Sequence, residues 1–109
     1  MKPLSWLFCC LFAVTVINYP NPFNPKAGQV TTIEGTSDTT QETTLFIYDL
    51  SARLLYRRDL SLPSGVPSRL VWNGYSDFND RAGNGVYVYQ LINRQNQRIA
   101  RGKIWVVNK

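Results

Sequence analysis

The sequence of 109 residues contains no histidine, and its only two cysteines, Cys9 and Cys10, are adjacent. Without histidine, the most common general base and the usual partner of a nucleophilic serine are missing. Neighbouring cysteines rarely bridge each other, because a disulfide requires well-separated Cα atoms. The composition therefore excludes a disulfide framework and a thiolate zinc site. We expect no enzyme, no catalytic residue and no bound cofactor or metal.

The remaining candidates for chemistry are oxygen atoms in one polar segment. Asp77 and Asp80 are a possible carboxylate pair, and with Asn73 and Asn79 they could offer oxygen ligands to calcium. Their spacing is not that of an EF-hand, and the sequence contains no glycine-rich phosphate loop. We interpret these four residues as polar turn residues.

Positive charge exceeds negative charge, with twelve Lys and Arg against seven Asp and Glu and a net charge of +5. The cations that stand close together in the sequence are Arg57, Arg58, Arg94, Arg98, Arg101 and Lys103. Such residues can serve an anionic partner, such as nucleic acid or a polyanionic surface glycan, or they can form a solvated strand face. No nucleic-acid motif accompanies the charge, so we favour the solvated face and expect no nucleic-acid partner.

Residues 1–17 differ in composition from the rest of the chain. Lys2 precedes about 14 uncharged residues, which is short of the roughly 20 that span a membrane as a helix. This arrangement is typical of a secretory signal peptide, with Ala13 and Thr15 as a poor cleavage site. The alternatives are a membrane anchor, a lipid-modified cysteine, which the bulky Phe8 disfavours, or a truncated or mis-started chain. We therefore divide the chain into a signal peptide or hydrophobic segment, 1–17, and a domain, 18–109.

Beyond residue 17, the pattern is that of short strands separated by turns. Alternating or β-branched runs predict strands at 30–34, 43–49, 54–60, 69–72, 86–92 and 99–107. The three prolines of segment 18–25 predict an extended, kinked lead-in, in which Tyr19 and Phe23 fill the edge of a core. About seven short strands predict an all-β, antiparallel two-sheet sandwich of the immunoglobulin or fibronectin-III type. The expected inward-facing side chains are Leu45, Ile47, Leu70, Trp72, Tyr87, Tyr89, Leu91, Ile104 and Val106.

Five motifs in this pattern resemble those of a known family. They are Asn18-Tyr19-Pro20-Asn21-Pro22-Phe23-Asn24-Pro25, then Ile47-Tyr48-Asp49-Leu50 with Arg53, then Trp72-Asn73-Gly74, then Gly83-Asn84-Gly85-Val86-Tyr87-Val88-Tyr89-Gln90-Leu91, and finally Lys103-Ile104-Trp105-Val106-Val107. In this order they resemble the Ig-like domain of the FlgD/Vpr type. Flagellar hook-capping proteins share that domain with the C-terminal sorting modules of type IX secretion. The resemblance covers residues 18–109.

The motif residues have mainly structural roles in this interpretation. We expect Trp72 to lie in the core, Gly85 to permit a tight turn, and Tyr87 and Tyr89 to bury their rings while their hydroxyls find partners at the sheet margin. The sequence departs from the family at two positions. Ala52 stands where the family has glycine in a hairpin turn, so we expect this turn to avoid a positive φ. Asn73 replaces an aspartate of the family motif, which weakens any role of charge there.

The resemblance implies a non-catalytic C-terminal sorting or attachment module for secretion to the bacterial cell surface. Its implied partners are the secretion machinery or cell-surface proteins, and it would contact a membrane only through the N-terminal segment. The implied location is extracellular or on the outer-membrane surface. Two alternatives are a structural Ig-like adhesion or assembly domain, similar to a hook cap, and a carbohydrate-binding sandwich that presents Trp105, Tyr48 or Tyr75. The secretion route, the cargo and the oligomeric state stay open.

Overall fold

Seven strands lie between residues 13 and 109, the part of the chain that the computed structural model describes. They are β1 (Val14–Tyr19), β2 (Thr31–Ser37), β3 (Gln41–Tyr48), β4 (Leu54–Leu62), β5 (Ser68–Trp72), β6 (Gly85–Asn93) and β7 (Arg98–Val106). A short 3-10 turn at Pro25–Ala27 joins β1 to β2. A search of residues 13–109 finds no helix that is long and apolar enough to cross a membrane.

The strands form two antiparallel sheets. The three-stranded sheet has the order β1-β2-β5, and the four-stranded sheet has the order β4-β3-β6-β7. Apolar residues recur at every second position, so that each strand directs one row of side chains into the space between the sheets. This arrangement confirms the all-β, two-sheet sandwich that the strand pattern predicts.

The core between the sheets contains most of the side chains expected there. Those buried as predicted are Leu45, Ile47, Trp72, Tyr89, Leu91, Ile104 and Val106. Leu70 and Tyr87 are half-buried and pack against this cluster from its margin. The buried side chains that the strand pattern did not single out include Ile33, Leu55, Tyr56, Leu60 and Leu62. Each such burial stabilises the fold by about 1.5–3 kcal/mol, which suits a chain with no disulfide framework.

The sandwich begins before residue 18, where the sequence placed its boundary. β1 starts at Val14 and pairs with β2 from Val14 opposite Ser37 to Tyr19 opposite Thr32. Val14 and Val16 are partly buried and pack against the core. An apolar run without charge has the same hydropathy in a signal peptide and in an edge strand, so composition alone extended the N-terminal segment too far. The prediction of an export signal otherwise concerns residues 1–12, which lie outside the described part.

Candidate functional site

The motif residues, which are scattered over most of the sequence, meet at one end of the sandwich. Here β1, β3, β5 and β7 finish, and β2, β4 and β6 begin, because every neighbouring pair is antiparallel. The last residues of the four finishing strands are therefore Tyr19, Tyr48, Trp72 and Val106, and β6 begins at Gly85. We call this region, with its connecting loops, the motif end.

Asn18 fixes the point where β1 leaves its sheet. Its Nδ2 donates hydrogen bonds to Thr31 Oγ1 at 2.7 Å and to the Thr32 carbonyl at 3.0 Å. Thr31 Oγ1 in turn donates to the Pro20 carbonyl at 2.8 Å. The peptide bonds before Pro20 and Pro22 are both cis. Residues 18–25, which we call the opening segment, bend at these prolines. The start of β2 thus holds both sides of the bend.

Asn21 replaces a neighbouring strand at the outer edge of β7. Its Nδ2 donates to the Lys103 carbonyl at 2.8 Å, and its Oδ1 accepts from the Trp105 backbone N–H at 2.8 Å. β7 is the last strand of its sheet, so these two backbone groups have no strand partner on that side. One asparagine side chain satisfies both of them, as a paired strand would.

Phe23 continues this pairing with its backbone and enters the core with its ring. Its N–H donates to the Trp105 carbonyl at 3.0 Å, and its carbonyl accepts from Val107 N–H at 3.0 Å. The bridge between Phe23 and Val106 is parallel. The opening segment therefore leaves the three-stranded sheet at Tyr19 and joins the four-stranded sheet at Phe23, which couples the two sheets at the motif end.

The expectation for Tyr19 was wrong, whereas that for Phe23 is confirmed. Phe23 is almost fully buried, but 41% of Tyr19 is exposed. Tyr19 alternates with Val16 and Asn18 along β1, so its ring lies on the outer face of the sheet with Ile17. Its hydroxyl donates to Glu34 Oε1 at 2.8 Å.

Trp72 is fully buried and lies at the centre of an aromatic cluster. Its ring centroid lies 5.7 Å from that of Phe23 and 6.1 Å from those of Tyr56 and Tyr87. Its Nε1 donates to the Tyr75 carbonyl at 2.9 Å, so the polar edge of the indole is satisfied. Tilted and edge-on aromatic pairs add about 0.5–1.5 kcal/mol each to the burial of the rings.

Gly74 brings the loop after β5 against the opening segment. Its φ is +86°, and a Cβ added there would lie 2.6 Å from Pro25 Cβ and 2.9 Å from Pro25 Cγ. Only glycine fits both the left-handed backbone and this approach. Asn73, next to it, accepts from Tyr75 N–H at 3.0 Å through Oδ1, a role that needs an acceptor but no charge.

Asn24 and Asn108 complete the opening segment. Asn24 Oδ1 accepts from Ala27 N–H at 3.2 Å and so caps the 3-10 turn in which Pro25 is buried. Asn108 Oδ1 accepts from Lys26 N–H at 3.1 Å, and its Nδ2 donates to the Ala82 carbonyl at 3.0 Å. These contacts bind the segment after β7 to both the opening segment and the loop before β6.

Asp49 organises the hairpin turn between β3 and β4. Its Oδ1 accepts from the backbone N–H groups of Ser51 and Arg53, both at 2.9 Å. Ala52 in this turn has a φ of +66°, which contradicts the expectation that it avoids positive φ. The turn requires a left-handed residue here, at a cost of about 1–2 kcal/mol for alanine. The Asp49 hydrogen bonds offset that cost. They could not be predicted from the sequence pattern of the turn.

The two tyrosines of β6 lie with their rings toward the core. Tyr87 donates from its hydroxyl to the Gly83 carbonyl at 2.8 Å, which ties the loop to the strand. Burial raises the pKa of both Tyr87 and Tyr89. Gly102 on β7 lies against the Tyr89 ring so closely that no Cβ fits there. No pattern in the sequence singles out Gly102, because its neighbour across the sheet is known only once the register is known.

The polar loop after Trp72 uses its side chains internally. Asp77 Oδ1 accepts from Arg58 Nη1 at 2.7 Å, and Asp77 Oδ2 accepts from Arg57 N–H at 3.1 Å. This contact raises the pKa of Arg58. Ser76 Oγ accepts from the N–H groups of Phe78 and Asp80, and Asn79 adopts a φ of +69°. Among residues 13–109, no group of three or more acidic, cysteine or histidine side chains could hold a metal ion.

The three aromatic residues considered as a sugar platform do not form one surface. Tyr48 and Trp105 lie on the outer face of the four-stranded sheet, and 49% of Trp105 is exposed. Tyr75 lines a separate cleft with Tyr56 and Val71, between β4 and β5. The structure therefore groups Tyr48 and Trp105 and excludes Tyr75 from their surface.

No family model matches the chain, and no curated protein matches it. Among solved structures, dimeric latent PorU from Porphyromonas gingivalis contains a similar domain, with a TM-score of 0.73 and 22% identity over 90% of this chain and 10% of PorU. PorZ from the same species, described as an essential bacterial surface component of the type IX secretion system, gives a TM-score of 0.60 and 23% identity over 85% of this chain and 11% of PorZ.

A third similar structure belongs to a different class of protein. Alkylpurine DNA glycosylase AlkC from Pseudomonas fluorescens, solved bound to DNA containing an abasic site analogue, gives a TM-score of 0.60 and 10% identity, over 87% of this chain and 30% of AlkC. At these identities the three likenesses establish the fold, which proteins of unrelated function share. The chain spans about a tenth of PorU and of PorZ.

Proposed function

We propose that this chain is a non-catalytic sorting or attachment module of type IX secretion, which directs a protein to the bacterial cell surface. One observation carries the proposal: the sandwich resembles a domain of PorZ, a surface component of that system, over 85% of its length. The likeness to PorU over 90% of the chain points in the same direction. The five sequence motifs, which resemble those of sorting modules, support it independently.

The geometry of the motif end suits recognition better than catalysis. Asn21, Asn24 and Asp49 have side chains that already bond to backbone groups, and Asp77 is paired with Arg58. Side chains so engaged stabilise a shape but are not available to transfer protons. We therefore infer that the motif residues hold a fixed surface that partner proteins read.

Two apolar side chains at the motif end are available to such partners. Leu50, in the hairpin turn, is 71% exposed, and Phe78, in the loop after β5, is 74% exposed. The Ser76 hydrogen bonds hold the Phe78 loop in place, so the ring is presented without a large loss of freedom on binding. Exposed aromatic residues are among the most frequent energetic centres of protein interfaces.

The experiment is a fusion of residues 13–109 to the C-terminus of a reporter exported to the periplasm of a type IX-competent host. The fusion must start at residue 13, because β1 begins at Val14. We expect the reporter at the cell surface or in the medium, and in the periplasm of a host that lacks the secretion system. A folded module that leaves the reporter periplasmic in the competent host would contradict the proposal.

Two variants separate recognition from folding. Phe78→Ser should reduce surface delivery without unfolding the module, because the ring makes no core contact. Val66→Ser is the matched control: it also removes an exposed apolar side chain, but from the loop between β4 and β5 at the opposite end. Equal delivery by both variants would show that the motif end is not the recognised surface.

A further inference from the structure

Unpaired positive charge is concentrated on the outer face of the four-stranded sheet. In the strand register, Arg57 of β4, Phe46 of β3, Gln90 of β6 and Arg101 of β7 lie in one row across this face. Three inter-strand steps separate the two arginines by about 14 Å. Lys103 follows Arg101 on the same side of β7, and Arg98 lies opposite Ile92 in the next row.

The charges on this face do not cancel. Its five cations are Arg57, Arg94, Arg98, Arg101 and Lys103, and none of them forms an ion pair with any residue in the range 13–109. Arg94 reaches the face through Thr44 Oγ1, 3.5 Å from its Nη1. The carboxylates on the strands of this face are Glu42 and Asp59, both at the β3–β4 side, and Asp49 lies at its edge in the hairpin turn. On the outer face of the other sheet, by contrast, Glu34 and Arg69 pair at 2.8 Å.

Aromatic rings lie among these cations. Phe46 and Tyr48 are successive outward residues of β3, and their rings are nearly parallel, with 6.1 Å between centroids and 20° between planes. The Arg57 guanidinium lies 5.7 Å from the Phe46 ring centroid and covers that ring. Tyr48 lies beside Phe46 on β3, and Trp105 lies half-exposed on β7 of the same face. Flat rings beside cations are the side chains that bind planar or ring-shaped anionic ligands.

A groove of about 290 Å³ opens on this face beside Tyr48. Its lining includes Val88, Gln90 and Arg101 from β6 and β7, and Asp49 and Ala52 from the hairpin turn. The volume lies just below the smallest typical small-ligand sites, which begin at about 300 Å³, so the groove accommodates one sugar unit at a time. A ring face, an amide, a cation and a carboxylate converge here, which is the set needed to hold a ring that carries both hydroxyls and a negative charge.

The backbone around the groove limits what can bind. β3 and β6 are central strands, paired on both sides, so they offer no free N–H or C=O groups to an extended peptide. Recognition must therefore run through side chains. Sugar hydroxyls can donate hydrogen bonds to the Asp49 carboxylate. Among residues 13–109, the Oδ2 of Asp49 has only a long contact, 3.5 Å, with Arg53 Nε.

We propose that this face binds an acidic polysaccharide that carries carboxylate groups. One sugar ring lies against Tyr48, its hydroxyls bond to Gln90 and Asp49, and its carboxylate pairs with Arg101. Carboxylates of neighbouring units pair with Lys103 and Arg57, which lie on either side of the groove. This proposal is independent of the sorting function proposed above. Binding by the purified protein can fail or succeed without any consequence for that function.

The test is calorimetric titration of the full chain with polygalacturonate, with neutral dextran as the control polysaccharide. We expect saturable binding of the polyuronate that weakens with added salt, and none of dextran. Arg101→Gln should weaken binding at least about tenfold, the effect of losing one charge-assisted hydrogen bond. Lys26→Gln removes the same charge from the 3-10 turn, away from this face, and should leave binding nearly unchanged.

Tyr48→Leu keeps an apolar side chain at the same position but removes the flat ring, and it should weaken binding by a similar factor. Melting curves confirm that each variant is folded. Absence of binding, equal binding of dextran, or equal losses in Arg101→Gln and Lys26→Gln would each overturn the proposal. Tighter binding of a single-stranded oligothymidylate that displaces the polyuronate would overturn it in favour of nucleic acid.

Discussion

Replacement of Gly74 by alanine tests whether the loop after β5 and the opening segment are locked together. The added Cβ would lie 2.6 Å and 2.9 Å from two carbons of Pro25 and 3.4 Å from the Phe23 ring. The left-handed backbone costs alanine about 1–2 kcal/mol. Displacing Pro25, and Phe23 with it from the Trp72 cluster, costs about a further 1–3 kcal/mol, the range found for overpacked cores. We expect a total loss of about 2–5 kcal/mol in the free energy of unfolding.

Gly28→Ala is the matched control. Gly28 has nearly the same φ, +82°, but nothing lies within 4 Å of a Cβ added there. It should cost only the backbone term of about 1–2 kcal/mol. The assay is urea unfolding followed by far-UV circular dichroism, since unfolding removes all seven strands together. If Gly74→Ala were no more destabilising than Gly28→Ala, the contact between Pro25 and Gly74 would not constrain the fold.

Three further predictions concern β1 and the edge of β7. Asn21→Ala should cost about 1–2 kcal/mol and speed hydrogen exchange of the Trp105 amide, while Asn21→Asp, which keeps the acceptor, should cost less; unchanged exchange in the alanine variant would contradict the edge-pairing role. A chain starting at residue 18 should be at least about 2 kcal/mol less stable in urea than one starting at residue 13, because it loses Val14 and Val16; equal midpoints would place β1 outside the fold. The hydrogen bond from Tyr19, followed by that from Arg69, lowers the pKa of Glu34. The contribution of Glu34 to stability is therefore present above its unfolded-state pKa and is lost as pH falls through its folded-state pKa. An NMR titration should show the pKa of Glu34 rising in Tyr19→Phe, and no rise would exclude the Tyr19 hydroxyl as the main cause.

Side-chain alternation is the part of the sequence that predicted the fold well. The pattern of β3, with Leu45 and Ile47 inward and Phe46 and Tyr48 outward, needs only the period of an extended chain. Trp72 was correctly placed in the core because a large ring at the end of a short apolar strand has few alternatives. The contacts of the motif residues were not predictable from the sequence, since Asn21 and Lys103 are 82 positions apart.

The errors have a common cause. Val14 to Ile17 were assigned to the N-terminal segment because hydropathy does not distinguish an edge strand from a signal peptide. Tyr19 was expected at the edge of the core because residues 18–25 were interpreted as a kinked lead-in, but Tyr19 belongs to β1, whose alternation directs it outward. Ala52 was expected to avoid positive φ because it stands where the family has glycine, but the hydrogen bonds of Asp49 hold this turn in the left-handed conformation. In each case a specific neighbour outweighed the average preference of the residue type.

The sequence by itself determined the all-β class, the positions of most strands and most of the core, because these depend on local periodicity and on the turn residues between strands. Only the tertiary structure decided that the sandwich starts at Val14, that Asn21 completes the edge of β7, and that Arg57 and Arg101 share one face with Tyr48. Those features depend on register and on which strands are neighbours. Both are set by pairings between distant residues, and a one-residue shift in any of them would move every side chain of that strand to the opposite face.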